Sequence, residues 1–249
     1  MDTIQGAIEN LYSVFSSFRL RDRIDACTHC HGSKDDQLIR SKSLRSLGVD
    51  ELHHYIWDAM TTWGDEYDFR HFLPRILELC ALDERLTSEF VDEPIVLGKL
   101  RYGKWQTWPE AQRQAVRGYL HALWELKTEH QFPWEDFTPS LIEGWLCAIA
   151  QAEDDLHPYL HTWTVSTSSA AIGNLSHFIV SDWEHVLKGK LQDAFWSERK
   201  EQRSQVVKWL TGETVRDALL NAPIQGLSPV ALEWLNRARA CVRPPTCAW

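Results

Sequence analysis

Residues 25–33 read DACTHCHGS, and within them Cys27, Cys30 and His31 follow the pattern C-x-x-C-H. This pattern is typical of covalent haem attachment, of half a zinc site and of a redox pair, and it also arises by chance. Haem attachment needs export to an oxidising compartment, and a thioredoxin-like pair needs a neighbouring βαβ unit. We find neither an export signal nor a βαβ pattern, which disfavours both interpretations.

A structural zinc ion needs four ligands, of which Cys27 and Cys30 would supply two. No second C-x-x-C follows at the usual distance, so His31 and one distant residue would have to complete the site. The distant candidates are Cys80, His53 and His71. The sequence favours a polar connector with two free thiols. A structural zinc clip on Cys27, Cys30 and His31 stays open as the alternative, and no other cofactor is indicated.

An acidic residue lies three positions before a histidine in four segments that have a helical pattern. The pairs are Glu51/His54, Asp68/His71, Asp154/His157 and Asp182/His185. Glu-x-x-His from two helices builds the di-iron sites of helical bundles, because positions i and i+3 share a helix face. Three of these pairs carry Asp instead, and a solvated hydrogen bond between helix neighbours is the simpler explanation. A metal-dependent oxidase or hydrolase is therefore the alternative function.

His157 and His161 are spaced i, i+4 with Asp154 one turn before, which is a second metal-binding pattern. Pro158 lies between the two histidines and disfavours a shared helix face. The sequence has no G-x-S-x-G, no glycine-rich phosphate loop and no H-E-x-x-H. We therefore assign no catalytic residue.

Helical periodicity dominates the elements that would position these residues. Helices are predicted over 3–18, 50–63, 67–82, 109–129 and 139–152, with shorter ones at 154–163, 169–188, 190–196, 198–210, 213–221 and 228–241. Pro74 should kink the third helix or begin a new one. Residues 89–103 are the hardest to assign, and no convincing strand is found.

The pattern predicts an all-α fold, either an irregular HEAT-like solenoid or a multi-helix bundle. We expect one domain over 1–249, with two helical lobes dividing near residues 130–138 as the alternative. The 13 tryptophans should mostly be buried between helices.

The chain has 249 residues and a formal charge of −9, which disfavours a nucleic-acid or anionic-membrane binder and favours a basic protein partner. No run of about 18 apolar residues exists to span a membrane. The N-terminus lacks a basic region followed by an apolar run, so we expect no secretory signal. A cytoplasmic location with reduced cysteines is the resulting expectation.

Residues 55–81, YIWDAMTTWGDEYDFRHFLPRILELCA, follow RDRIDACTHC and carry a W-G-x-x-x-D-F-x-x-F-L-P-R-I-L-E-L run. Together these segments resemble a group of uncharacterised bacterial all-helical proteins that join a C-x-x-C segment to such a run. The resemblance covers roughly residues 18–82. It implies a bacterial origin, a helical fold and joint action of Cys27 and Cys30, and it implies no catalytic residue.

The acidic charge, the abundant tryptophan and the missing catalytic motifs favour a non-catalytic scaffold that binds another protein. Bacterial immunity, antitoxin and adaptor proteins are of this kind, and the expected partner has a basic surface. The oligomeric state has no signal in the sequence.

Overall fold

The computed structural model describes residues 3–27, 29–30 and 32–243. These residues form an all-α structure, which confirms the predicted fold class. Strand-like pairing in the described ranges is limited to isolated bridges that Trp63 makes with Ala26 and Ala59. The described helices include none that is both long and apolar enough to cross a membrane.

Ten of the twelve α-helices of the described ranges overlap predicted segments, whereas the helices at Ser33–Ile39 and Glu93–Tyr102 were not predicted. The helix predicted over 50–63 ends early, at Asp58. The twelve helices are α1 (Ile4–Val14), α2 (Ser33–Ile39), α3 (Val49–Asp58), α4 (Glu66–Leu82), α5 (Glu93–Tyr102), α6 (Glu110–Glu129), α7 (Leu141–Ala152), α8 (His157–Val165), α9 (Ser169–Val186), α10 (Lys200–Leu210), α11 (Glu213–Asn221) and α12 (Pro229–Val242).

Shorter helical turns connect some of these helices. Three are 3-10 turns, at Leu44–Ser46, Trp105–Thr107 and Ala194–Glu198, and one is a π-helix at Leu86–Phe90. Residues 89–103, the segment that was hardest to assign, contain the end of the π-helix and all of α5. Pro94 lies in the first turn of α5, where its missing N–H removes no helical hydrogen bond.

The chain divides into two compact units, unit 1 (Met1–Leu123) and unit 2 (Trp124–Trp249). The division falls inside α6, whereas the sequence suggested a division near residues 130–138. Each unit has its own aromatic core. Fully buried side chains include Tyr55, Trp63, Phe69, Phe72 and Trp105 in unit 1, and Trp124, Tyr159, Trp163, Phe178 and Trp196 in unit 2.

Tryptophan burial follows the prediction with one exception. Of the twelve tryptophans in the described ranges, eight are buried, three are half-buried and one, Trp57, is exposed. An exposed tryptophan leaves a large apolar surface in contact with water, which is unfavourable unless another molecule covers it. Trp57 is therefore a candidate contact residue.

The junction between α3 and α4 is fixed by local sequence. Gly64 has a φ of 71°, a conformation that side chains with a Cβ rarely adopt, and it follows the end of α3. Asp65 then caps α4 by accepting hydrogen bonds from the N–H groups of Tyr67 and Asp68. From there α4 runs unbroken to Leu82, so a new helix does not begin at Pro74.

Candidate functional site

The segment that contains Cys27 and Cys30 is paired with the turn that ends α3. The N–H of Cys27 donates to the carbonyl of Thr62 at 2.8 Å, and the N–H of Gly64 donates to the carbonyl of Asp25 at 2.7 Å. The N–H of Cys30 donates to the carbonyl of Cys27 at 3.0 Å and closes a four-residue turn. Both thiols are free and exposed.

Hydrogen bonds in this turn shift the two thiols in opposite directions. The backbone N–H groups of His29 and Cys30, followed by the Cys30 thiol, lower the pKa of Cys27. The hydrogen bond to Cys27 raises the pKa of Cys30. Cys27 is therefore the thiol that ionises first and the better nucleophile of the pair.

The structure brings Cys27 and Cys30 together but places the distant zinc candidates elsewhere. Cys80 is buried in the core of unit 1, and the ring of His53 packs on Phe90. His31 lies outside the described residues. Within the described ranges, no three His, Cys, Asp or Glu side chains form a group that could hold a metal ion.

The Glu51/His54 pair is divided between different partners. Glu51 accepts hydrogen bonds from Lys42 Nζ and from the N–H of Gly48, both at 2.6 Å. These donors lower the pKa of Glu51. His54 instead packs against His53, with ring centroids 4.1 Å apart and the ring planes tilted by 38°. Glu51 therefore stabilises the start of α3, and His54 is a surface residue.

The Asp68/His71 pair is likewise divided. Asp68 is buried and accepts from the N–H of Asp65 at 3.1 Å, which completes the cap of α4. His71 Nδ1 lies 3.0 Å from the carbonyl oxygen of Phe18, and burial lowers the pKa of this histidine. Both side chains act on backbone groups of unit 1.

In the described part of unit 2, neither pair is joined by a hydrogen bond. Burial raises the pKa of Asp182, and the charge of His185 acts to lower it. Asp154 accepts from Arg199 at 2.5 Å, whereas His157 lies 2.7 Å from Asp155. Asp182 is fully buried, and His185 and His161 are exposed. None of the four pairs named in the sequence analysis, all within the described ranges, has a hydrogen bond between its two members. The predicted solvated hydrogen bonds are therefore wrong.

The outward side of α3 carries a different group of residues, here named the α3 face: Asp50, His53, His54 and Trp57. Positions 50, 53, 54 and 57 share one side of a helix. The opposite side is anchored, because Val49, Leu52, Tyr55 and Ile56 are buried in unit 1. Burial of that apolar stripe fixes the direction in which the α3 face points.

The π-helix packs beside the α3 face. Trp57 Nε1 donates to the carbonyl of Phe90 at 3.0 Å. The centroid of the Phe90 ring lies 4.6 Å from the centroid of the His53 imidazole. Arg85 forms ion pairs with Asp50 at 3.1 Å and with Glu89 at 3.6 Å. These contacts join the π-helix and α3 into one surface with exposed charges around an exposed indole.

Lys99 on α5 fixes the end of α3. Its Nζ donates to the carbonyl of Trp57 at 2.6 Å and to that of Ala59 at 3.1 Å, although the side chain is buried. Burial lowers the pKa of Lys99, and the charge of Asp58 opposes this effect. A cation stabilises the last carbonyls of a helix, which lack intrahelical partners. Lys99 therefore holds the backbone that presents Trp57.

Negative charge is concentrated in the segment that forms this surface. Residues 50–93 contain twelve acidic and three basic side chains, so their formal charge of −9 equals that of the whole chain. Two acids of this segment that pair with Arg85 are exposed, with 67% of the Asp50 side chain and 55% of the Glu89 side chain accessible. A basic surface would be attracted to this region.

Sequence periodicity alone did not identify Trp57. The apolar stripe predicted for residues 50–63 contains Leu52, Tyr55, Ile56, Ala59, Met60 and Trp63, all of which are buried except the half-buried Met60. Trp57 falls on the polar side of the same helix. That position is the signal in the sequence, because an aromatic residue on the polar side of an amphipathic helix faces solvent.

Unit 2 contains a second polar cluster, which is buried. Glu143 on α7 accepts from Trp196 Nε1 at 2.6 Å and from the N–H of Asp193 at 3.2 Å. Asp182 on α9 is fully buried, and neither of its carboxylate oxygens has a hydrogen-bond partner of ordinary geometry. Cys147 lies one turn after Glu143, and burial raises the pKa of its thiol.

Burial makes these two carboxyl groups bind protons more tightly. Burial, and then the charge of Asp182, raises the pKa of Glu143 to about 8. Burial raises the pKa of Asp182 to about 6, and the nearby Gln192 opposes this shift. At neutral pH this cluster therefore holds a proton on Glu143.

The structure and these sites define a class, an all-α multi-helix protein. No protein-family model, no curated protein and no solved structure matches the chain.

Proposed function

We propose that the protein is a non-catalytic helical scaffold that binds a protein with a basic surface, as bacterial immunity, antitoxin and adaptor proteins do. The observation that carries the proposal is Trp57, an exposed indole on an anchored helix. Tryptophan is enriched among the residues that dominate binding energy at interfaces.

The surroundings of Trp57 supply both rigidity and charge. Lys99 and the carbonyl of Phe90 hold the residue from two sides, so binding would cost little conformational entropy. Asp50 and Glu89 form an acidic rim, which attracts a basic partner and speeds its association. The π-helix contributes Glu89 to this rim, and such elements occur often at functional sites.

We also propose that the chain belongs with the bacterial all-helical proteins that residues 18–82 resemble. Action in the cytoplasm is part of the proposal, because that compartment keeps exposed thiols such as Cys27 and Cys30 reduced.

A comparative capture experiment tests the proposed function. The full chain, its Trp57→Ala variant and a matched Leu38→Ala variant are immobilised and exposed to a lysate of the source cells, and the retained proteins are quantified. Leu38 is the control because it is a similarly exposed apolar residue of unit 1, 42% accessible against 45% for Trp57. We expect a basic protein to be retained by the full chain and by Leu38→Ala.

Trp57→Ala should retain this protein at least about tenfold less well, as expected for the loss of a central aromatic contact. Asp50→Asn with Glu89→Gln should weaken retention most at low salt, because ionic strength screens the rim. Retention of the same proteins by all variants contradicts the proposal, as does loss of acidic proteins only.

A further inference from the structure

The thiols of Cys27 and Cys30 differ from the other described cysteines in exposure. Cys80 and Cys147 are buried and Cys241 is half-buried, whereas Cys27 and Cys30 are both exposed. A dissolved reagent therefore reaches this pair first. The proposed binding function gives the pair no role.

The turn that contains the pair also has suitable geometry for a disulfide. The N–H of Cys30 donates to the carbonyl of Cys27 at 3.0 Å. Such a turn brings the first and fourth Cα atoms to within about 7 Å, and disulfides form at Cα separations of about 4.4–6.8 Å. Each thiol also shifts the pKa of the other. Closing the bond therefore needs little backbone movement.

Backbone pairing with the segment that follows α3 keeps this turn in place. Cys27 is tied through its N–H to Thr62, and Ala26 forms a bridge with Trp63, a core residue of unit 1. Cys27 thus has a fixed position, and its sulfur faces the N–H groups of His29 and Cys30.

We infer that Cys27 and Cys30 form a reversible dithiol–disulfide site that reacts with low-molecular-weight disulfides of the glutathione class. The Cys27 thiolate attacks one sulfur of the reagent, forms a mixed disulfide and releases one thiolate. The Cys30 thiol then loses its proton and attacks the Cys27 sulfur, which forms the Cys27–Cys30 disulfide and releases the second thiolate. The protein loses two electrons and two protons, and the reagent is reduced to two thiols.

The test uses the reduced full chain with Cys247→Ser, which removes a thiol outside the described residues. The protein is incubated with oxidised glutathione and a chelator, quenched with acid, denatured and alkylated, and each cysteine is then assigned by mass spectrometry. We expect Cys27 and Cys30 to lose two hydrogen atoms as a pair, about tenfold faster than Cys241 reacts. Cys80 and Cys147 should remain thiols until denaturation.

Two variants separate the steps. Cys30→Ser should stop at a stable mixed disulfide on Cys27, and Cys27→Ser should react more slowly at Cys30. A mixed disulfide that persists in the reference protein overturns the inference, and so does the absence of reaction at this pair. Zinc that survives the chelator and protects both thiols would also overturn it, in favour of a metal clip.

Discussion

The surface that α3 and the π-helix form together, here named the α3 surface, and the buried cluster of unit 2 both contain carboxylates. These are the same chemical groups in different environments. Asp50 and Glu89 lie in water beside Arg85 and have exposed oxygen atoms. Glu143 and Asp182 are removed from water, and the charge of Asp182 acts on Glu143. The first pair can attract a charged partner, whereas the second pair holds a proton on Glu143 at neutral pH and acts on the stability of unit 2.

This difference follows from solvation. A carboxylate in water keeps its charge at little cost, but a buried one is stabilised mainly by taking up a proton. Acidic residues therefore cannot be assigned to partner binding from the net charge alone. The comparison predicts that pH should change the stability of unit 2. Salt should change the attraction between the α3 surface and a charged partner.

The largest expected effect is the pH dependence of stability. The pKa of Glu143 rises from 4.5 to about 8 on folding and that of Asp182 rises from 3.8 to about 6. The folded state thus binds more protons at these two groups, so their contribution to stability is fully present below about pH 4 and is lost as pH rises toward 8. We expect a loss on the order of 4 kcal/mol between pH 5 and pH 8.

Urea unfolding at a series of pH values measures this loss, and Glu143→Gln is the control. The amide keeps an acceptor for Trp196 but cannot ionise, so the variant should be more stable than the parent at pH 8 and close to it at pH 5. If the free energy of unfolding changed equally with pH in the two proteins, Glu143 would not be the group that releases the proton.

Removal of the Glu143 acceptor should have the next largest effect. Glu143→Ala leaves Trp196 Nε1 and the N–H of Asp193 without this acceptor and opens a cavity, which should cost about 3 kcal/mol at pH 5. Asp50→Ala is the matched surface variant. Equal losses for the two variants in chemical denaturation would show that burial does not distinguish the two regions.

Lys99→Met should have a smaller effect on stability and a specific effect on the α3 surface. The variant keeps the length of the side chain but loses the donor to the carbonyls of Trp57 and Ala59, which should cost about 2 kcal/mol. Hydrogen exchange should increase at the end of α3. Unchanged exchange at Trp57 and Asp58 would mean that Lys99 does not hold this helix end.

The smallest effect on stability is expected from the exposed charges. Asp50→Asn and Glu89→Gln should each change the free energy of unfolding by less than about 0.5 kcal/mol, because exposed ion pairs contribute little. Thermal melting at low and high salt measures this change. A loss of several kcal/mol would place these ion pairs among the main stabilising contacts.

Features that depend on the local sequence pattern could be predicted from the sequence. Leu52, Tyr55 and Ile56 recur with helical spacing and are buried, although α3 ends at Asp58 and does not reach the predicted end at residue 63. The all-α fold follows from the same pattern repeated along the chain.

Contacts between residues that are distant in sequence could not be predicted from this local pattern. Glu143 and Asp182 are far apart in sequence. The sequence pattern pairs Asp182 with His185, whereas in the folded protein the charge of Asp182 acts on Glu143 of α7. The π-helix at Leu86–Phe90 changes the local hydrogen bonds by one residue, and this shift leaves no periodic signal. The pairing of Cys27 with Thr62 likewise depends on the folded turn after α3.

The most direct test of the central claim is the dissociation constant of the captured basic protein for the full chain and for Trp57→Ala. The account predicts weaker binding by a factor of about 30 or more, or about 2 kcal/mol, with Leu38→Ala unchanged and both variants melting normally. An unchanged dissociation constant for Trp57→Ala would contradict the assignment of the α3 surface as the binding site.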